Sequence, residues 1–64
     1  MMKKLKSLRI ESELTHKDMA SVLGLKTASA YWKKEAGLVP FSLSEARIIA
    51  DFFNMSIDDI FFSG

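Results

Sequence analysis

The side chains in this 64-residue chain that could do chemistry are cations and hydroxyls gathered near its middle. A glycine at position 24 is followed by Lys26, Thr27 and Ser29, and Lys33 comes one helical turn later. Ammonium and hydroxyl groups donate hydrogen bonds to phosphate oxygens and to the acceptor atoms on base edges. These residue types therefore fit a duplex nucleic acid as ligand.

The composition argues against most other chemistries. The chain has no cysteine and one histidine, which leaves no thiolate metal site, no disulfide and no zinc cluster. No nucleophile with a base beside it and no phosphate-binding loop can be assembled. We therefore expect no enzymatic activity, no cofactor and no small-molecule substrate.

Hydropathy predicts one compact domain over residues 1–64. The hydrophobic content of 48% is enough for a core. No apolar run approaches the roughly 18 residues of a membrane span, and residues 1–9 lack the apolar centre of a signal peptide. The expectation is a soluble cytoplasmic protein with no membrane association.

Charge is distributed unevenly along the chain. Residues 1–34 hold eight Lys and Arg against three Asp and Glu, a balance of +5, and residues 35–64 hold one against five, a balance of −4, which together give the net +1. This charge asymmetry suggests that one face of the protein binds a polyanion and that another face binds a different partner. Chance clustering on solvated helix faces explains it equally well, and Lys3, Lys4 and Lys6 are expected to form such a face.

Helical periodicity and capping signals predict five helices and no strands. They cover about residues 2–12, 16–23, 28–36, 42–53 and 56–61. Ser or Thr followed three residues later by Asp or Glu begins three of them, at 15–18, 42–45 and 56–59. Gly24 and Gly37 end the second and third. The core stripe predicted for the fourth helix consists of Leu43, Ala46, Ile49, Ala50 and Phe53.

The second and third helices meet the requirements of a helix-turn-helix. Ala20 is small enough for a close crossing of the two helices, Gly24 tolerates the positive φ of the turn, and Leu25 can fill the space beneath it. In that arrangement the third helix enters the major groove. The residues expected at base edges or in the groove are Lys26, Thr27, Ala28, Ser29 and Trp32.

Six segments spread over nearly the whole chain carry a family resemblance: LR at 8–9, LTHKDMA at 14–20, LGL at 23–25, KEAG at 34–37, ARIIA at 46–50 and MSIDDIF at 55–61. In these segments the chain resembles the lambda-repressor-like, Cro-type helix-turn-helix family, also called the xenobiotic response element family. The resemblance implies a compact all-α domain of five helices. It also implies a transcriptional regulator of phage or bacterial type, usually a repressor that binds a palindromic operator in double-stranded DNA as a homodimer.

The resemblance also implies individual roles. Arg9 and Glu35 would form a structural ion pair between helices 1 and 3. Tyr31 would take a core position, which favours an exposed Trp32 at the groove; the alternative buries Trp32 against helix 4. Lys34 stands where the family often has an apolar residue, so its stem is expected to pack while its ammonium reaches solvent.

Two departures from the family pattern affect the expected DNA contacts. His16 replaces a glutamine, and either contacts a phosphate or is a solvated helix-start residue. The interval from Gly24 to Gly37 is one residue longer than usual. If the additional residue lies in the turn, Thr27 caps helix 3; otherwise the exposed face rotates by about 100°. The residues expected at phosphates are His16, Lys17, Lys33 and Ser42, with a solvated face as the alternative for the two lysines.

All five phenylalanines lie after residue 40. Phe41 and Phe53 are expected in the core, and Phe61 could also close it. A domain of this size has little interior for the rest, which suggests a self-association surface. The candidates for a dimer interface are Phe52, Ile60, Phe61 and Phe62. Asp58 and Asp59 are interpreted as a helix start and not as a metal site.

The sequence thus predicts a sequence-specific DNA-binding transcriptional regulator. The alternative is a protein-interaction module on the same fold, similar to an anti-repressor or antitoxin, that binds another regulator. The modest net charge, His16 and the phenylalanine-rich end support this alternative.

Overall fold

The computed structural model describes residues 2–62. Within that range it has four α-helices, α1 (Lys3–Glu11), α2 (His16–Leu23), α3 (Ala28–Glu35) and α4 (Leu43–Phe53), followed by a π-helical turn (Asp58–Phe62), and no strand. The all-α prediction is confirmed, and the α-helix boundaries agree with the expected ones to within one residue. The last element is a π-helical turn where an ordinary short helix was expected. None of the helices in the described range is both long and apolar enough to cross a membrane.

Reciprocal capping boxes start α2 and α4. The Thr15 hydroxyl accepts a bond from the Asp18 N–H at 3.1 Å, and the Asp18 carboxylate accepts one from the Thr15 N–H at 2.8 Å. That backbone bond lowers the pKa of Asp18 below its ordinary value. Ser42 and Glu45 repeat the pattern at 3.1 and 2.9 Å. Each box satisfies backbone donors that a helix start leaves without partners.

The turn between α2 and α3 depends on Gly24. Its φ of 73° lies in the left-handed region, and the next N–H, from Leu25, donates to the Ala20 carbonyl at 2.8 Å. Thr27 then caps α3, accepting the Ala30 N–H at 3.1 Å. This is the geometry expected if the additional residue lies in the turn, so α3 begins at Ala28.

One apolar cluster joins all five elements. Its buried members are Leu5, Met19, Ala20, Tyr31, Ile49, Ala50 and Ile60. Leu25, Phe41, Phe53 and Phe61 are among the half-buried side chains that pack around it. The closest packing is between α2 and α3, while the π-helical turn packs on α1.

Two expectations about burial were wrong. Leu43, predicted in the core stripe of α4, is 74% exposed because the first turn of α4 extends beyond the core, and Ala46 is the first α4 residue that is buried. Ile60, a candidate for the dimer surface, is 3% exposed. The π-helical turn directs Ile60 into the core, so its side chain is not part of an exposed surface.

Candidate nucleic-acid interface

α3 has one face in the core and one in solvent. Tyr31 and Glu35 are buried, whereas Trp32 is 46% exposed. The predictions of a core Tyr31 and an exposed Trp32 are therefore confirmed. We call the solvent side, together with the turn before it, the α3 outer face; it consists of Lys26, Thr27, Ala28, Ser29, Trp32 and Lys33. Ala28 is half-buried and the other five are exposed.

The buried side of α3 is fixed by Glu35. Arg9 donates to both of its carboxylate oxygens, from Nε at 2.9 Å and from Nη2 at 3.2 Å. The remaining Arg9 nitrogen, Nη1, donates to the Leu14 carbonyl at 3.0 Å, which joins α1, the α1–α2 connection and α3. The expected Arg9–Glu35 pair is thus present, and its bidentate geometry restrains the rotation of α3 about its axis.

Tyr31 completes this buried group. Its hydroxyl donates to Glu35 Oε2 at 2.7 Å. Burial, and then the bond to the carboxylate, raises the pKa of Tyr31 far above its ordinary value. The Tyr31 hydroxyl therefore stays protonated throughout the physiological pH range, and its hydrogen bond to Glu35 is kept over that range.

His16 has a contact that neither sequence interpretation included. Its Nε2 lies 3.7 Å from Glu35 Oε1, and its ring centroid lies 6.1 Å from that of Tyr31. The imidazole is about one-third exposed and borders a cleft of about 170 Å³, whose other lining residues are Lys6, Trp32, Glu35 and Ala36. His16 therefore lies between solvent and the buried carboxylate, and only the fold brings these groups together.

Lys17, Lys33 and Lys34 differ in their surroundings. Lys17 and Lys33 are exposed, as a phosphate contact requires. Lys34 is not: its Nζ donates to Glu45 Oε1 at 3.0 Å and to the Pro40 carbonyl at 3.2 Å. The expected packing of its stem is accompanied by an internal ion pair, so the expectation that its ammonium reaches solvent was wrong. No local pattern connects two residues eleven positions apart.

Ser42 keeps one donor after it has capped α4. Its N–H is bound by Glu45 Oε1 and its hydroxyl oxygen accepts the Glu45 N–H. A hydroxyl is one donor and two acceptors, so its hydrogen remains able to reach an external phosphate oxygen. Burial raises the pKa of Glu45, but the Ser42 N–H and the Lys34 ammonium outweigh this and lower its pKa overall, which keeps the cap charged.

The phenylalanines divide between core and surface. Phe41, Phe53 and Phe61 are half-buried against the core, and the rings of Phe41 and Phe61 meet edge to face at 5.3 Å. Phe61 therefore helps to close the core. Phe52 is 47% and Phe62 is 75% exposed. Ile48, one turn before Phe52 on α4, is also exposed and was not among the predicted surface residues.

A hydrogen bond to the Ser56 hydroxyl marks the start of the C-terminal turn. The Asp59 N–H donates to the Ser56 hydroxyl at 3.0 Å, as expected at the start of a helical turn. In the described part of the chain, no group of three or more His, Cys, Asp or Glu side chains is arranged to hold a metal ion.

Comparisons of the chain with family models, with curated proteins and with solved structures found no match.

Proposed function

We propose that this protein is a sequence-specific DNA-binding regulator with a lambda-repressor-like, Cro-type fold, in which α3 enters the major groove. The observation that carries the proposal is the two-sided character of α3. Its inner side is fixed by a buried, bidentate Arg9–Glu35 pair, while its outer face presents hydroxyls, lysines and a half-exposed tryptophan. A rigid helix with donors on one free side suits direct readout of base edges.

The proposed contacts follow from exposure and chemistry. Ser29 and Trp32 lie one turn apart on the α3 outer face and read bases, Trp32 by packing on a thymine methyl or on the edge of the backbone. The N-terminal part of that face, Lys26, Thr27 and Ala28, lies at the groove. Lys17, Lys33 and the Ser42 hydroxyl bind phosphates. We leave His16 out of this set because its Nε2 faces Glu35.

Exposed apolar side chains on α4 and at the C-terminal turn support a homodimer. Ile48, Phe52 and Phe62 are all more than 40% exposed, and Ile48 and Phe52 lie four positions apart, on one face of α4. Apolar side chains that are exposed together mark interaction surfaces. The same residues favour one second candidate, a protein-interaction module that binds another regulator. A homodimer that binds a palindromic repressor operator is the arrangement that the family resemblance implies.

Binding to a random-sequence duplex across a range of salt concentrations separates the two candidates. We expect measurable binding at low salt, because a DNA-binding protein retains non-specific affinity for phosphates. Lys33→Met should weaken binding and reduce the slope of log affinity against log salt by about 0.9, the loss of one phosphate contact.

Arg47→Met is the matched control, since it removes one charge from an exposed residue in the acidic half of the chain. It should leave the slope unchanged. If the wild-type protein does not bind random duplex even at low salt, the interaction module replaces the DNA-binding function. Equal slopes for the Lys33 variant and the wild type would remove Lys33 from the phosphate contacts.

A further inference from the structure

The side chain of Lys34 connects the last turn of α3 to the first turn of α4. Its Nζ lies 3.0 Å from Glu45 Oε1, 3.2 Å from the Pro40 carbonyl oxygen and 5.9 Å from the centre of the Phe41 ring. The Lys34 and Glu45 side chains are only 14% and 18% exposed. The ammonium is therefore surrounded by groups from one segment, residues 40–45, and is directed away from bulk water.

Glu45 connects this contact to the start of α4. The carboxylate oxygen that accepts from Lys34 also accepts the Ser42 N–H at 2.9 Å, and Ser42 returns the bond to the Glu45 N–H at 3.1 Å. One atom thus completes the capping box of α4 and holds the end of α3. We call this arrangement the Lys34–Glu45 bridge.

Glu35, the residue after Lys34, also connects α3 to another helix. Glu35 binds Arg9 of α1, so neighbouring residues in the last turn of α3 are attached to helices on different sides. Lys33, one position earlier, is exposed and belongs to the α3 outer face. Lys33 and Lys34 therefore have the same charge and adjacent positions but different surroundings.

We propose that Lys34 is a positioning residue: through Glu45 it sets the placement of the α3 outer face relative to the Ser42 hydroxyl, and it makes no phosphate contact itself. The proposal rests on the proposed DNA-binding function. Specific binding requires base contacts from α3 and phosphate contacts from the α4 start to be made together, whereas non-specific binding tolerates a shift between them. Loss of the bridge should therefore reduce specificity more than general affinity.

The test compares Lys34→Met, Lys33→Met and Glu45→Gln with the wild-type protein. Methionine keeps an unbranched stem without the charge, and glutamine keeps an acceptor for the Ser42 N–H. Affinities are measured for the duplex that the wild-type protein enriches from a random pool and for a random-sequence duplex. Both are measured over a range of salt concentrations, at a temperature where each variant is folded by circular dichroism.

We expect Lys34→Met to lower the ratio of the affinity for the selected duplex to the affinity for random duplex by roughly tenfold. This is about the effect of losing one charge-assisted hydrogen bond. The slope of log affinity against log salt should stay unchanged. Lys33→Met should lower both affinities and reduce the slope by about 0.9. Glu45→Gln keeps the oxygen that accepts from Lys34 but removes its charge, so it should lower the specificity ratio less than Lys34→Met does. Removal of a carboxylate by itself strengthens attraction to DNA. The double variant should lose no more than Lys34→Met alone, because that substitution has already removed the contact that Glu45→Gln weakens.

A Lys34→Met variant that behaves like Lys33→Met would overturn the proposal, because Lys34 would then be a phosphate contact. An unchanged specificity ratio for Lys34→Met would also overturn it. If Lys34→Met does not fold, an unchanged ratio for Glu45→Gln overturns the proposal instead. Failure of the proposed function is recognised separately, since the wild-type protein would then bind no duplex or enrich no sequence.

Discussion

Glu35 shows how one residue determines the orientation of α3. Its carboxylate receives two bonds from Arg9 and one from Tyr31, and His16 lies 3.7 Å away. Removing Arg9 alone would leave a buried carboxylate without its main partner, a situation that typically costs about 3–5 kcal/mol. The buried pair therefore stabilises the orientation in which Trp32 and Ser29 face outward.

Base readout can be tested at single residues. Because Ser29 and Trp32 are exposed on α3, Ser29→Ala and Trp32→Ala should each change the preferred duplex sequence while the fold is retained. The measurement is selection from a random pool followed by sequencing, with circular dichroism as the check on folding. If both variants enrich the same sequence as the wild-type protein, our placement of the α3 outer face in the groove is wrong.

The elements are defined mainly by interactions between residues close in sequence. Thr15 with Asp18, and Ser42 with Glu45, begin helices through bonds that span three positions. Gly24 ends α2 in the left-handed region. Such signals act within about one helical turn, which is why the α-helix boundaries were predicted to within one residue.

Gly24 allows a test at the scale of the turn. A Cβ added there would meet no atom within 4 Å, so the cost of a side chain comes from the backbone conformation alone. Gly24→Ala should lower the free energy of unfolding by roughly 1 kcal/mol, or several degrees in Tm.

Gly24→Asn is the matched control, because asparagine tolerates the left-handed region better than alanine. Urea unfolding of both variants gives the comparison, and the asparagine variant should be the more stable. An alanine variant as stable as the wild-type protein would show that the positive φ is not required in solution.

For the molecule as a whole, it was harder to predict which apolar side chains are exposed than where the α-helices begin and end. Ile60 and Phe62 are two residues apart in one turn, yet one is buried and the other is 75% exposed. Leu43 and Ala46 belong to the same predicted stripe, but only Ala46 is buried. The extent of the core depends on how far each helix is covered by its neighbours, which no local pattern specifies.

The exposed apolar residues of α4 and of the C-terminal turn predict self-association. The chain of 7.2 kDa should sediment at twice that mass, and Phe52→Ser with Phe62→Ser should shift it toward the monomer. Both substitutions lie at exposed positions, so the monomer should remain folded. The measurement is sedimentation equilibrium over a range of protein concentrations.

Leu43→Ser is the control for this experiment, because Leu43 is at the other end of α4 from Phe52 and is 74% exposed, close to the 75% of Phe62. It should leave the dimer intact. A monomeric wild-type protein, or equal dissociation by the Leu43 variant, would contradict the assignment of the surface.

The four α-helices, their caps and the turn were predictable from the sequence, because they depend on backbone preferences and on bonds between residues at most five positions apart. The sequence also indicated Arg9 with Glu35, but only through a family resemblance. The contact of Lys34 with Glu45, the position of His16 beside Glu35 and the burial of Ile60 became known only from the packed fold. These contacts join residues from different elements, so they depend on how the helices pack, and helix packing is a property of the whole core.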